Sequence, residues 1–373
     1  MGLSRFYIIA GESSGDLYGA ELVREIKNLT PGALFYGFGG PEMQKTGVEI
    51  SRSIDKLELI GFTEVVLKAG TVLQNFKIAK KDLIRIKPDA LILIDYPGFN
   101  LRMAEWAKNR GIKVFYYIAP QTWAWKASRN EKIKKFVDKL FVILPFEENY
   151  FYKNGIPAEF VGHPMVDQIE NFKSSQKAEI PVFSQISDKK IIAILPGSRS
   201  GEISKMTPYL INMIKNMPDK HFVIAALSKN PKSLYEAFKH FDNVQLIYDK
   251  TLDVLQVADF GLIKSGTSTL QAALLKLPHV VFYKVSPISG WIMKKLATIK
   301  FAALPNLILN RLVVPELLQE ELTSANLEFQ LRAVMEESKK EAQILSFDLL
   351  ESKLKKDHNS AQLVAQAIVS AIE

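Results

Sequence analysis

Apolar residues along this chain fall into short unbroken runs, each followed by a longer stretch where they recur at helical spacing. In the first half the runs lie at 6–10, 34–38, 90–94, 114–118 and 140–144, and a helix is predicted from about 17 to 27. Short buried runs alternating with helical segments predict βαβ units and a parallel sheet. After Gly162, His163 and Pro164 the chain turns polar, and 171–190 carries serines and lysines with few periodic apolar positions. A second series then begins, with runs at 191–195, 222–226, 244–247, 260–263 and 280–283. From about residue 325 the pattern is helical without a new core. The predicted organisation is a first α/β lobe (1–170), a linker (171–190), a second α/β lobe (191–340) and C-terminal helices (341–373) expected to pack back on the first lobe.

Ligands of parallel sheets sit beyond the carboxyl ends of the strands, so the loops after each run hold the candidate chemistry. In GESSGD (11–16), Glu12, Ser14, Gly15 and Asp16 follow the first run but lack G-x-G-x-x-G spacing. On pattern the loop reads as a strand-to-helix turn capped by Ser and Asp. Asp95 opens DYPGFN directly after the run LILI. An acid placed there is a general base if partly desolvated, or an Asx turn with Pro97 and Gly98 if not. Trp123 and Trp125 precede a basic segment carrying Lys126, Arg129, Lys132, Lys134 and Lys135. The tryptophans suit either a sugar-site wall or domain packing, and the cations either a solvated face or an anionic surface.

In the second lobe, Gly197, Ser198 and Arg199 follow a strand and lead into a helix containing Glu202. Glycine permits close backbone approach, serine caps, and arginine grips a diphosphate in bidentate fashion. A second loop of this kind, Ser265-Gly266-Thr267, joins another run to a helix that contains Gln271. Free N–H groups at a helix start bind phosphate, so the two loops together suggest a nucleoside diphosphate. Asn306 follows Pro305 and is either positioned for function or a turn residue. Between 59 and 86, Val65, Val72, Leu73, Phe76 and Leu83 recur at helical spacing, and Ile60, Phe62, Val66 and Leu67 add surplus apolar surface beside several lysines. Pattern alone favours an ordinary core helix, with a membrane-touching patch as the alternative.

Composition narrows this picture. The 373 residues include 48 basic and 40 acidic ones, and the net charge of +8 suits nucleotide, phosphate, nucleic acid or an acidic membrane surface without choosing among them. Cysteine is absent, which excludes disulfides, thiolate catalysis and cysteine–zinc sites. The five histidines lie too far apart in sequence for a local metal motif, and no D-x-D pair occurs. A metal-independent transferase is the coherent expectation, with the diphosphate charge met by helix N-termini, Arg199 and backbone N–H groups. The N-terminal apolar run is too short for a signal peptide and no run of about 18 apolar residues appears, so the expectation is a cytoplasmic protein.

The motifs IIAGESSGDLYGA, FYGFGGPEMQ, IDYPGFN, YYIAPQTWAWK, ILPFE, FVGHP, ILPGSR, SGTSTLQAALL, LPNLI and PELLQ, in this order from about residue 5 to 320, closely resemble lipid-A-disaccharide synthases. The resemblance implies a GT-B fold, two Rossmann-like lobes with parallel sheets facing an interdomain cleft. It implies an inverting transfer from UDP-2,3-diacylglucosamine to 2,3-diacylglucosamine 1-phosphate (lipid X). It places the enzyme peripherally on the inner face of a Gram-negative inner membrane, against anionic lipid, with no cofactor, metal or nucleic acid, and leaves a homodimer open. By the same resemblance Asp95 acts near the acceptor hydroxyl. Gly197, Ser198, Arg199, Glu202, Ser265, Gly266, Thr267, Gln271 and Asn306 serve the UDP-sugar. Glu12, Ser14, Gly15, Asp16 and His163 line the acceptor side, and Ile60, Phe62, Val65, Val66, Leu67, Val72, Leu73 and Phe76 dock on membrane. Gln271 departs from the family, which usually carries Glu there to accept from the ribose hydroxyls. Two other readings stand beside this one: a UDP-N-acetylglucosamine epimerase-like enzyme, and a non-catalytic nucleotide-binding peripheral membrane protein.

Overall fold

The computed structural model describes residues 3–57, 69–175, 189–284 and 300–373. It divides into two units, Met1–Pro164 with Leu354–Glu373, and Met165–Lys353. The first is built on seven strands: β1 (Arg5–Ala10), β2 (Leu34–Gly39), β3 (Glu49–Ser53), β4 (Ala90–Ile94), β5 (Lys113–Tyr117), β6 (Lys139–Val142) and β7 (Ala158–Phe160). Their order is β3-β2-β1-β4-β5-β6-β7, and every pairing is parallel. Helices cover both faces, which is why the central strands are apolar runs rather than alternating ones. Along β1, Phe6, Ile8 and Ala10 join one core while Tyr7 and Ile9 join the other. The last helix, Ser360–Ile372, supplies Val364, Ile368 and Val369 to the first of these cores, and Tyr117 bonds Ser360 across 3.1 Å.

The second unit carries six strands: β8 (Ile191–Leu195), β9 (His221–Ala226), β10 (Val244–Tyr248), β11 (Phe260–Lys264), β12 (His279–Tyr283) and β13 (Glu316–Leu318). Their order is β10-β9-β8-β11-β12-β13, again parallel throughout. Ile192 and Ile194 point to one core and Ala193 and Leu195 to the other. The architecture is therefore two Rossmann-like lobes.

The division differs in detail from the predicted boundaries. The helix Pro164–Ser175 opens the second unit instead of closing the first, and the helix Glu337–Leu354 stays with the second unit up to Lys353. Only the final segment returns to the first unit. The strands β3, β7 and β13, of 5, 3 and 3 residues, had no counterpart among the apolar runs because their residues are largely part-exposed. Strand order reverses once in each sheet, between β1 and β4 and between β8 and β11. Those reversals open the crevices in which such sheets bind ligands.

Candidate functional site

In the first unit the reversal brings the loops after β1 and β4 together. Asp95 follows β4, and its backbone is left-handed (φ 45°), as is that of Tyr96 (φ 48°). Two successive non-glycine residues in this region store about 1–3 kcal/mol each, so neighbours must hold them there. The Asp95 N–H donates to the Tyr117 carbonyl at 3.2 Å. Its carbonyl accepts from Asn100 Nδ2 at 2.7 Å and from the Tyr116 hydroxyl at 2.6 Å. The Tyr96 ring lies on Gly11, where a Cβ would come within 2.3 Å of it, so the two loops interlock through a glycine.

Burial first, and then the negative charge of Glu12, push the Asp95 carboxyl up to about 6; the Tyr96 N–H and the Arg129 guanidinium oppose this. Burial also raises Glu147 to about 7, against bonds from Trp123 Nε1 (2.9 Å), the Leu144 N–H (3.0 Å) and the Ile143 N–H (3.2 Å). Arg129 is held below its ordinary value by burial, while Tyr116 and Asp95 favour its charge. Asp95 is thus a desolvated carboxylate whose proton affinity lies close to neutral pH, the property a general base requires.

The other candidates here divide into neighbours and supports. Glu12 is exposed and acts on Asp95 through its charge. Ser14 is half-buried, and a Cβ at the buried Gly15 would meet Ala10 at 3.3 Å. Asp16 accepts from the N–H groups of Gly40 (2.7 Å), Glu42 (2.9 Å) and Met43 (3.1 Å) at the start of the helix Pro41–Lys45. With both oxygens engaged by backbone, it anchors the loop after β2. His163 is buried, burial pushes its imidazole down to about 3, and its backbone N–H donates to the Leu354 carbonyl at 3.0 Å. Sequence reasoning gave no role to Tyr116 or Glu147 and read Arg129 as a solvated or surface cation. Tyr116 lies in β5 and Glu147 in the helix Pro145–Lys153 after β6, both toward the carboxyl ends of their strands, but neither belongs to a recognisable phosphate or acid motif.

Of the apolar docking positions, Ile60, Phe62, Val65, Val66 and Leu67 lie outside the described residues. On the helix Ala69–Ile86, Leu73 is 62% exposed and Val72 half-buried. Phe76 stacks on Phe99 at 4.2 Å beneath Arg102 and packs against the core, as the helical spacing alone led one to expect. Helical spacing carries Ala79 and Leu83 into the same core.

In the second unit the reversal brings the loops after β8 and β11 around a cavity of about 190 Å³. Gly197, Ser198, Ser265, Gly266, Thr267 and Gln271 line it, with Leu195, Ala225, Leu227, Thr251, Lys264 and Ser268. Gly266 (φ 152°) turns the chain into the helix Thr267–Leu274, whose first N–H groups have no acceptor within the helix. The Ser265 hydroxyl donates to the Ala302 carbonyl at 2.9 Å, and Thr269 Oγ1 donates to the Gly266 carbonyl at 2.8 Å. Gly197 (φ 131°) lies against Glu202, whose carboxylate accepts from the Ser198 N–H at 3.2 Å and from Lys264 Nζ at 2.8 Å. Lys264 was not singled out from the sequence, although a lysine ending the apolar run FGLIK is the available cue. Arg199 stands outside this lining, exposed at the start of the helix Ser200–Lys215. The Tyr283 phenol registers both neighbours: burial and Glu202 raise it, Arg199 lowers it.

Asn306 lies behind this cavity's loops and not in its lining. It is fully buried, donating to the Val314 carbonyl and to Glu316 Oε1 (both 2.8 Å) and accepting from the N–H groups of Val313 (2.7 Å) and Val314 (2.9 Å). Its amide has no capacity left for a ligand. Glu316 in turn takes the N–H groups of Ala302 and Ala303, each at 2.9 Å, and Ala302 holds the Ser265 hydroxyl. Asn306 therefore braces the loop that carries Ser265 from behind.

The family model described as lipid-A-disaccharide synthetase matches residues 6–369. The lipid-A-disaccharide synthase of Geobacter metallireducens is 37% identical over 326 residues, 86% of this chain and 85% of that protein. The synthase of Dechloromonas aromatica is 33% identical over 378 residues, covering 99% and 98%. Among solved structures, a UDP-GlcNAc 2-epimerase from Neisseria meningitidis bound to UDP-GlcNAc is similar with TM-score 0.65 at 14% identity, over 99% of both chains. A glycotransferase of kitacinnamycin gives TM-score 0.64 at 12% identity, also over 99% of both. These structural likenesses are of fold, and the fold is GT-B. The sequence relationships reach further: the chain belongs to the lipid-A-disaccharide synthase family.

Proposed function

We propose that this glycosyltransferase moves the sugar of UDP-2,3-diacylglucosamine to the 6-hydroxyl of 2,3-diacylglucosamine 1-phosphate, with inversion. The products are the β(1→6)-linked disaccharide 1-phosphate and UDP. The observation that carries this reading is the pairing of sites within one family member. Asp95, raised to about 6, ends β4 of one sheet, and a glycine-and-hydroxyl cavity with a helix start ends β11 of the other.

In this mechanism the acceptor oxygen attacks the anomeric carbon as Asp95 takes its proton, and the bond from that carbon to the UDP oxygen breaks. Inversion requires base and leaving group on opposite faces of the sugar. Charge growing on the departing diphosphate is met by the N–H groups at Gly266, Thr267 and Ser268 and by Arg199, whose charge needs no metal to complete it. Asn306 and Asp16 act through the loops they brace. Both substrates carry acyl chains, so the protein works peripherally at the inner face of the inner membrane, with Leu73 and the apolar residues preceding it as the contact. No helix among the described residues is long and apolar enough to cross a membrane.

Incubation with UDP-diacylglucosamine, with and without lipid X, tests the reading. Acceptor-dependent UDP release, persisting in EDTA, is the expected result. Sugar product without acceptor would favour an epimerase, and binding without turnover a non-catalytic nucleotide-binding protein.

A further inference from the structure

We propose that Lys264 binds the donor's diphosphate and that Glu202 is an internal stand-in for a phosphate group, which the incoming diphosphate displaces. This rests on the reading that the cavity after β8 and β11 takes a nucleoside diphosphate. Lys264 is the last residue of β11 and lines that cavity beside Ser265 and Gly266. Its ammonium sits 2.8 Å from Glu202 Oε1, with side-chain exposures of 15% for Lys264 and 13% for Glu202. The other carboxylate oxygen accepts from the Ser198 N–H at 3.2 Å. One carboxylate thus bridges a cation and a backbone N–H on the two loops, the two kinds of donor that phosphate oxygens use.

The surroundings favour exchange over a fixed structural pair. Glu202 lies in the first turn of the helix Ser200–Lys215, where negative charge is favourable whether a carboxylate or a phosphate supplies it. Gly197 presses against Glu202, a Cβ there falling 2.9 Å from both its Cβ and Oε2, so the carboxylate is aimed by the glycine turn of the phosphate-type loop itself. Lys264 also lies over the Tyr283 ring at 4.5 Å, which keeps a cation in place when its carboxylate partner leaves. A half-buried cation without its carboxylate requires another anion, and the diphosphate provides it.

Calorimetric titration with UDP, and with uridine as the probe lacking phosphate, tests this on wild type, Glu202→Gln, Lys264→Met and the double variant, each checked for folding by thermal melting. Glu202→Gln is expected to tighten UDP roughly threefold to tenfold and to leave uridine unchanged. Lys264→Met is expected to weaken UDP about tenfold, and adding Glu202→Gln to it to restore nothing. Lys264→Arg, which keeps the cation, serves if the Met variant fails to fold, and should hold UDP within about threefold of wild type. Unchanged or weaker UDP binding by a folded Glu202→Gln overturns the proposal. So does a gain from Glu202→Gln that survives in Lys264→Met, because Glu202 would then act by simple repulsion. Equal affinity of the wild type for UDP and uridine would instead overturn the diphosphate assignment of the cavity itself, and the proposal with it.

Discussion

The loop after β4 turns through Asp95 and Tyr96, two left-handed residues with side chains, whereas the loop after β11 turns through Gly266. Both follow the strand at the point where their sheet reverses order. The first loop stores strain and is held by the Tyr116 hydroxyl, the Asn100 amide and the interlocked Tyr96 ring. The second avoids strain by omitting the side chain, and the first N–H groups of the helix it opens have no acceptor within that helix. The difference follows from what each must present. A base is a side chain, so the residue at the turn has to carry one and the backbone accommodates it. An anion cradle is backbone, so the turn residue is best without a side chain. On the proposed reading, the same fold position thus serves a base in one unit and an anion in the other.

Removing the supports should separate the units most visibly. Asp16→Ala deprives three N–H groups of their acceptor, and a loss of about 3 kcal/mol in urea denaturation is expected, with UDP affinity in the folded protein unchanged. Asn306→Ala should destabilise comparably but also weaken UDP, since it braces the loop holding Ser265. Equal effects of the two on UDP binding would erase the distinction between the loops.

Gly266→Ala comes next. The nearest heavy atom to an added Cβ is Lys264 Nζ at 4.0 Å, so the cost is backbone strain at φ 152° and not a clash. About 1–3 kcal/mol of UDP affinity should be lost. Full retention would mean the turn geometry does not matter to the diphosphate.

The pH dependence sharpens the other side. A base must be unprotonated, so turnover at saturating substrates should fall about tenfold per pH unit below about 6, the value to which Asp95 is raised. Glu12→Gln removes one of the causes of that rise and should move the acid limb to lower pH. A limb that stays put belongs to another group, such as a substrate phosphate. The smallest effect is expected from Gln271→Glu, which should tighten UDP about threefold if the residue lining the cavity accepts from the ribose.

Both central sheets were legible because buried parallel strands are written as unbroken apolar runs, and ten of them stood out. The short edge strands β3, β7 and β13 were not, since part-exposed residues in runs of 5, 3 and 3 leave no periodic signature. The positions of Asp95 and of the two glycine loops were legible for a topological reason: each ends an apolar run. Roles were less so. The resemblance makes Asp16 and Asn306 site residues, yet Asp16 spends its oxygens on backbone N–H groups, and Asn306 its amide on backbone groups and Glu316, all brought close by the fold. Lys264 was hidden for the opposite reason, since its meaning depends on Glu202, 62 positions away. Phe76 was legible as a core-helix position from its helical spacing; the resemblance moved it to the membrane patch, and its stacking on Phe99 agrees with the spacing.

The division of labour between the two loops is tested most directly by one variant, Asp95→Asn, assayed for acceptor-dependent UDP release and titrated with UDP in the same preparation. Turnover is predicted to fall by about two to four orders of magnitude while UDP affinity stays at the wild-type value. Retained turnover, or UDP affinity lost along with it, would contradict the account.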